Sequence, residues 1–193
     1  MKNKTVYCHF SFRRPKDKEY GIFAVALYKD YVGKQFVTKS VTVQKLWQNH
    51  QHVTAIQAYA NALNVLYKWQ ASLLQYNVTN VMLVTDNSNL ALWIQKPKKS
   101  VKFREWMDKA YEPFQSGNKQ FRLGIGLCAV REYEKSYKFC NEQNVENFSE
   151  YMNKNKPTHK TVIESEGFIS LEDILNEDKP EISEGFKPIS GTV

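Results

Sequence analysis

The sequence predicts an α/β domain in which three antiparallel strands and a long helix precede further strands that add in parallel. The expected result is a mixed five-stranded sheet flanked by helices. Three observations favour it: segments of β-favouring residues open the chain, a long stretch with apolar residues at three- and four-residue steps follows, and a short continuous apolar run comes next. The last pattern is typical of a strand buried on both faces. At 193 residues the chain suits one compact domain with an appendage.

The first part of the chain predicts a three-stranded antiparallel meander. Its charged and Gly-containing connections, Arg13–Lys18 and Lys29–Gly33, are typical of turns. The alternation in the third segment places Val37, Val41 and Val43 on one face. The predicted strands are Thr5–Phe12, Tyr20–Tyr28 and Phe36–Val43.

The second part predicts alternating helices and strands. Thr54 is the expected N-cap of the long helix, and Asp86-Asn87-Ser88 caps the next one. Alternation of Leu and Ile with smaller residues indicates a fifth strand, and a helix-compatible segment follows it. The predicted elements are helix Thr54–Gln75, strand Val81–Thr85, helix Ser88–Ile94, loop Lys96–Ser100, helix Val101–Gln115, strand Phe121–Ala129 and helical segment Arg131–Asn144.

Charge divides the chain into a basic body and an acidic tail. Residues 1–160 carry 25 Lys and Arg against 12 Asp and Glu, and residues 161–193 carry 2 against 8. We therefore expect a folded domain over residues 1–150 and an acidic, partly disordered tail over residues 151–193, with Ile169–Leu175 able to form a short amphipathic helix on a partner. A basic body favours a polyanion or an acidic protein surface as partner, although dispersed lysines also serve solubility alone.

Several classes of protein and site are disfavoured. No run reaches the roughly 18 apolar residues of a membrane-spanning helix, and the first residues show no cleavable signal pattern. Three cysteines without CxxC spacing indicate free, buried thiols in a reducing compartment. His50 and His52 lie in a polar turn without a neighbouring Cys or carboxylate, so no zinc site is expected. We expect a soluble cytoplasmic protein without cofactor or metal.

The element order and the sequence Val81-Met-Leu-Val-Thr-Asp-Asn-Ser88 resemble the ribonuclease H-like fold over about residues 4–145. The resemblance implies a site for two divalent metals between four acidic groups: one from the first strand, one from the long helix, one at the end of the fourth strand and one from the end region of the fold. Clustered anionic oxygens are needed because two such cations at about 4 Å repel each other strongly. Asp86 matches the third group.

The other three acidic groups are missing or unassigned. No Asp or Glu occurs in residues 1–16 or between Asp30 and Asp86, so the first strand and the long helix supply none. The helix position falls at Ile56 or Gln57. The sequence therefore predicts a catalytically inactive domain with Asp86 as a helix cap. The fourth position falls on one of Glu132, Glu134, Asn141 or Glu142.

Two segments are candidate recognition surfaces. The first combines a dense basic cluster with Trp93, Phe103 and Trp106; such a pattern suits phosphates and bases, or else the aromatic side chains are core anchors and the lysines are their solvated face. The second lies in the tail and suits a groove on a partner, or else only solubilises the chain. The candidate residues are Lys96, Lys98, Lys99, Lys102, Arg104, Leu171, Ile174 and Leu175.

In size, composition and overall character the chain is similar to the sigma-factor-binding transcription inhibitors of large staphylococcal phages. That resemblance implies a non-enzymatic phage protein, monomeric outside its complex, which docks on the promoter-recognition domain of the host primary sigma factor. There it would modulate transcription by host RNA polymerase and contact DNA through its basic body. The alternatives are a nucleic-acid-binding module or a residual ribonuclease H-like nuclease.

Overall fold

A computed structural model of the chain describes residues 4–115, 122–128, 139–140 and 162–164. The predicted order of strands and helices is confirmed up to the fifth strand. The elements are β1 (Lys4–Arg13), β2 (Tyr20–Tyr28), β3 (Phe36–Lys45), α1 (Gln51–Gln75), β4 (Val78–Thr85), α2 (Ser88–Gln95), a 3₁₀ helix (Pro97–Phe103), α3 (Arg104–Gln115), β5 (Arg122–Leu127) and β6 (Val162–Glu164).

The strands form one mixed sheet in the order β5-β4-β1-β2-β3-β6. β1, β2 and β3 pair antiparallel, whereas β4 pairs in parallel with both β1 and β5. The predicted five-stranded arrangement is therefore confirmed. β6 was not predicted: it pairs antiparallel with β3 and belongs to the segment assigned to the tail. Leu171, Ile174, Leu175 and the rest of residues 165–193 lie outside the described residues.

The core lies on both faces of this sheet. On the first face, Cys8 and Leu83 pack with the apolar sides of α1, α2 and α3. On the second face, Tyr7 and Met82 pack with Phe139, one of two helical residues described between 129 and 161. β4 is central, and its last five residues are all buried, as expected for a strand covered on both sides. All three cysteines are free; Cys8 and Cys140 are buried and Cys128 is half-buried.

The prediction that three valines of β3 share a face was wrong for Val37. Thr38 pairs with Leu27 but Phe36 pairs with Tyr28, so Val37 is an extra residue in a β-bulge. A bulge reverses the alternation of side chains beyond it. Val37 consequently contacts the helix side of the sheet, while Val43 and the partly buried Val41 lie on the second face.

The observed N-caps lie four residues before the predicted Thr54 and one residue after the predicted Asp86. The N-cap of α1 is His50, whose Nδ1 accepts a hydrogen bond from the backbone N–H of His52 at 3.2 Å. Thr54 lies one turn inside the helix and donates its hydroxyl to the His50 carbonyl. The N-cap of α2 is Asn87, not Asp86: Asn87 Oδ1 accepts from the Leu90 N–H at 3.0 Å. An amide oxygen provides this acceptor without a charge.

Residues 97–100 of the predicted loop and residues 101–103 of the next predicted helix form the 3₁₀ helix instead, with Lys96 as its N-cap. Pro97 occupies the first helical position, where its missing N–H is tolerated, and its carbonyl accepts the hydroxyl of Ser100 at 2.7 Å. This short helix joins α2 to α3. Within the described part of the chain, no helix combines the length and apolar character needed to span a membrane.

Leu63→Ala should destabilise the protein strongly, since Leu63 is 0% exposed between α1 and the sheet. A cavity in this position costs about 2–5 kcal/mol of unfolding free energy. Leu92→Ala is the matched control, because Leu92 is also helical but 39% exposed. Urea unfolding measures both; equal losses would contradict the assignment of α1 to the core.

Asn87→Ala should lower the free energy of unfolding by about 1 kcal/mol, because it removes the acceptor that caps α2. Asp86→Ala should cost less, about 0.5 kcal/mol, since Asp86 contributes only its charge near the helix N-terminus. The same urea titration ranks the two variants. A larger loss of unfolding free energy for Asp86→Ala would indicate that Asp86, not Asn87, caps α2.

Candidate functional site

The carboxyl ends of β1 and β4 lie side by side, where the ribonuclease H resemblance implies two of its acidic groups. The strands run in parallel, with His9 opposite Val84. Asp86 directly follows the last residue of β4. Continuing the register by two residues places Ser11 of β1 at the level of Asp86.

His9 and Ser11, near this end of β1, are neutral and buried. His9 is buried; its Nε2 lies 2.9 Å from the carbonyl oxygen of Tyr31, and its ring contacts Tyr28. Ser11 is buried too, with its hydroxyl 3.6 Å from Sγ of Cys140. Neither side chain reaches solvent. Because burial of an unpaired charge is costly, neutral residues are favoured at these two positions, whereas the last residue of β1, Arg13, is only half-buried.

The two α1 positions matched to the helix ligand are likewise occupied by structural contacts. Ile56 belongs to the main core. Gln57 is 1% exposed, and its amide joins α1 to the end of β3. Its Oε1 accepts from the Trp47 N–H at 3.0 Å, and its Nε2 donates to the Lys45 carbonyl at 2.9 Å. The Gln57 amide therefore fixes the β3–α1 connection.

Asp86 is exposed at the end of β4. Partial desolvation raises the pKa of its carboxyl above the ordinary value, and a hydrogen bond from its own backbone N–H offsets part of that rise. No group of three or more His, Cys, Asp or Glu side chains that could hold a metal ion occurs among the described residues. The residues that β1, α1 and β4 offer do not fit a two-metal site. The fourth-position candidates Glu132, Glu134, Asn141 and Glu142 lie outside the described residues.

An open groove of about 390 Å³ lies beside the end of β5, between that strand and α2. Its lining is mostly apolar, with Leu92, Ile125 and Leu127 among the contributors. Tyr31 reaches it from the β2–β3 turn and donates its phenol hydroxyl to the Leu127 carbonyl. The described lining includes the hydroxyls of Ser88 and Tyr31 but no His, Asp, Glu, Lys or Cys side chain that could activate either of them.

The basic cluster predicted from the sequence lies on the 3₁₀ helix and its two flanks. Its five residues are all exposed. The neighbouring aromatic side chains divide between the two interpretations: Trp93 is buried in the core, whereas Phe103 and Trp106 are only half-buried and pack against it. The cluster comprises Lys96, Lys98, Lys99, Lys102 and Arg104.

The fold adds residues to this surface that the sequence did not single out. Trp47, in the β3–α1 connection, stacks on Trp106 with ring centroids 5.9 Å apart and 19° between the planes. Lys109 Nζ lies 4.5 Å from the Trp47 centroid. His50 and His52 contact Phe103, with centroids at 5.7 Å and 5.5 Å. The only sequence signal was Leu46-Trp-Gln-Asn-His-Gln-His52, an unusual concentration of rings in a polar connection.

Comparison with known proteins gives the fold but no closer relationship. No protein-family model matches the sequence, and no curated protein matches it either. A solved structure of LC11-RNase H1, isolated from compost by a metagenomic approach, matches 73% of this chain and 95% of its own with a TM-score of 0.55 and 15% identity. The N-terminal RNase H domain of rv2228c from Mycobacterium tuberculosis matches 72% and 93%, with a TM-score of 0.51 and 10% identity. LC11-RNase H1 in complex with an RNA/DNA hybrid matches 71% and 94%, with a TM-score of 0.54 and 12% identity. The chain therefore has a ribonuclease H-like α/β fold.

Proposed function

We propose that the chain is a non-enzymatic binding protein built on the ribonuclease H-like fold. The observation that carries the proposal is that α1, Gln51–Gln75, contains no carboxylate. At the two matched positions, Ile56 is in the core and Gln57 is held by three polar contacts at the end of β3. A change in side-chain rotamer cannot supply an oxygen anion that the helix does not contain.

Asp86 alone does not replace the missing groups. Two divalent cations about 4 Å apart are held only where several anionic oxygens offset their repulsion. β1 contributes none, and the raised pKa of Asp86 means that its carboxyl holds a proton more readily than an ordinary aspartate. These features support a loss of metal-dependent hydrolysis.

The partner in this proposal is a host protein, the promoter-recognition domain of the primary sigma factor, whose occupation modulates host transcription. Support comes from the similarity in size and composition to sigma-factor-binding phage inhibitors and from the division of charge between body and tail. The exposed basic cluster would lie beside promoter DNA. Leu171, Ile174 and Leu175 would provide apolar contacts to the partner protein, in the manner of a short amphipathic segment.

A nucleic-acid-binding module is the second candidate, and the basic cluster favours it. Between Asn87 and Arg104 the chain contains no Asp or Glu, so the exposed cations of the 3₁₀ helix have no carboxylate within that stretch. Such a cluster neutralises phosphates and gives affinity that falls steeply with salt. Both candidates are binding functions and differ in whether nucleic acid alone is sufficient as partner.

The purified full chain should leave a labelled RNA–DNA hybrid uncut in Mg²⁺ or Mn²⁺, even with protein in excess, because the acidic groups for two metals are absent from β1 and α1. Gel electrophoresis of the labelled strand measures this, with Asp86→Asn run in parallel. Cleavage that disappears in Asp86→Asn would overturn the non-enzymatic proposal. Cleavage that persists unchanged in that variant indicates a contaminating nuclease.

A tagged full chain should capture the primary sigma factor from a bacterial lysate, and the capture should survive nuclease treatment because the contact is between proteins. Leu171→Asp with Ile174→Asp should weaken capture, and Lys34→Ala with Lys68→Ala serves as a control in exposed positions elsewhere. Failure to enrich the sigma factor would refute the named partner. Capture lost on nuclease treatment would favour the nucleic-acid-binding module instead.

A further inference from the structure

Two tryptophans from distant parts of the sequence form a stacked pair at the protein surface. Trp47 precedes α1 and Trp106 lies in the first turn of α3; their rings are 5.9 Å apart and nearly parallel. Both are half-buried. Each therefore packs partly against the core while leaving part of its ring accessible to solvent.

The position of this pair is fixed by buried contacts beneath it. The backbone N–H of Trp47 donates to Gln57 Oε1, and Gln57 is itself buried and bonded to the Lys45 carbonyl. Trp106 is held by α3, whose Met107 and Ala110 are buried in the main core. A rigid aromatic surface loses little conformational entropy when a ligand stacks on it.

Further rings extend this surface towards the 3₁₀ helix. Phe103 is half-buried and contacts the ring of His50. This second pair lies three residues from each member of the Trp47–Trp106 pair along the chain, and we name the two pairs together the aromatic shelf. Val101 lies on the 3₁₀ helix two residues before Phe103. At 72% exposure it is the most exposed large hydrophobic side chain among the described residues. Apolar area on a solvated surface of this kind is typical of a contact site.

Cations surround the aromatic shelf. Lys109 Nζ lies over both indoles, at 4.5 Å from Trp47 and 5.4 Å from Trp106, and Lys102 Nζ lies 5.6 Å from the Phe103 centroid. Lys98 and Lys99 are exposed on the adjoining 3₁₀ helix. Exposed carboxylates nearby are Glu105, Asp108 and Glu112 on α3, and Glu19, whose carbonyl accepts from the Leu46 N–H. The stretch 87–104, which contains the 3₁₀ helix, has no Asp or Glu, so the 3₁₀ side is the cationic one.

We propose that the aromatic shelf binds single-stranded nucleic acid, with unpaired bases stacked on its rings and phosphates on the lysines of the 3₁₀ helix. The proposal rests on the DNA contact of the proposed function and specifies its substrate class. Flat rings beside a row of cations match a ligand with flat faces on an anionic chain. A duplex keeps its base faces inside the stack, so it offers the lysines phosphates but offers the rings nothing.

Abasic DNA separates stacking from charge. Fluorescence anisotropy of the full chain should show a labelled 12-nucleotide thymidine strand bound about tenfold more tightly than an abasic strand of equal length, since stacking adds to the phosphate contact. A 12-base-pair duplex and an RNA–DNA hybrid should compete more weakly than the single strand. Binding of the strand should also quench intrinsic tryptophan fluorescence.

Variants assign the effect to the aromatic shelf. Trp106→Ala should remove most of that tenfold difference, whereas Trp106→Phe should retain most of it because a ring remains. Tyr67→Ala is the control, since Tyr67 is an exposed ring on α1 at 45% exposure. The double variant Lys98→Ala, Lys102→Ala should bind intact and abasic strands more weakly by the same factor, with a smaller salt dependence of affinity. The control double variant Lys34→Ala, Lys68→Ala should show smaller changes in affinity and in salt dependence. Circular dichroism checks that each variant is folded.

Each result of these binding measurements either supports or contradicts the stacking proposal. Equal affinity for intact and abasic strands, or tighter binding of duplex or hybrid, would overturn the stacking proposal while leaving a phosphate contact in place. Absence of binding to every nucleic acid would overturn both the stacking proposal and the phosphate contact. It would not affect capture of the sigma factor, which depends on protein contacts. If Trp106→Ala does not fold, the comparison of intact with abasic strands on the unaltered chain, together with Trp106→Phe, is sufficient.

Discussion

The burial of α1 against the sheet is the constraint on which the rest of the structure depends. Fifteen of its residues are buried, including Thr54, Gln57 and Asn61 among the polar ones. An ionised carboxylate at such a depth is costly unless a cation or several donors compensate it. Gln57 meets the same geometric need without charge, since its amide both accepts and donates at the end of β3. Because α1 contains no carboxylate, its packing against the sheet does not depend on a compensating cation.

The same reasoning distinguishes Asp86 from its neighbours. His9 and Ser11 of β1 are buried and make internal contacts, whereas the Asp86 carboxyl is exposed and the cap of α2 is provided by Asn87. Asp86 is therefore not needed to begin the helix. Its remaining physical effect is a negative charge close to a helix N-terminus, which is modestly favourable. Among the described residues of β1, α1 and β4 and the residue that follows β4, Asp86 is the one carboxylate.

Much of the fold was predictable because periodicity and burial agree in β1, β2, α1 and β4. The misplaced details are those in which one residue changes a local geometry: the bulge at Val37, and the caps at His50 and Asn87 one to four residues from the expected ones. Strand β6 gives no periodic signal in three residues. At the site, the basic cluster could be found in the sequence because it is contiguous. The Trp47–Trp106 pair could not, since 59 positions separate its members and only the tertiary fold brings them together.

The surface at the start of α1 combines residues from distant parts of the sequence. Three segments meet there: the β3–α1 connection fixed by Gln57, the 3₁₀ helix with its lysines, and the first turn of α3. Gln57, one of the two α1 positions matched to the helix ligand, holds the backbone of Trp47 through its side-chain amide. The same amide binds the Lys45 carbonyl, so one buried side chain ties the end of β3, the β3–α1 connection and α1 together. The orientation of the Trp47 ring at the surface therefore depends on a polar contact inside the domain.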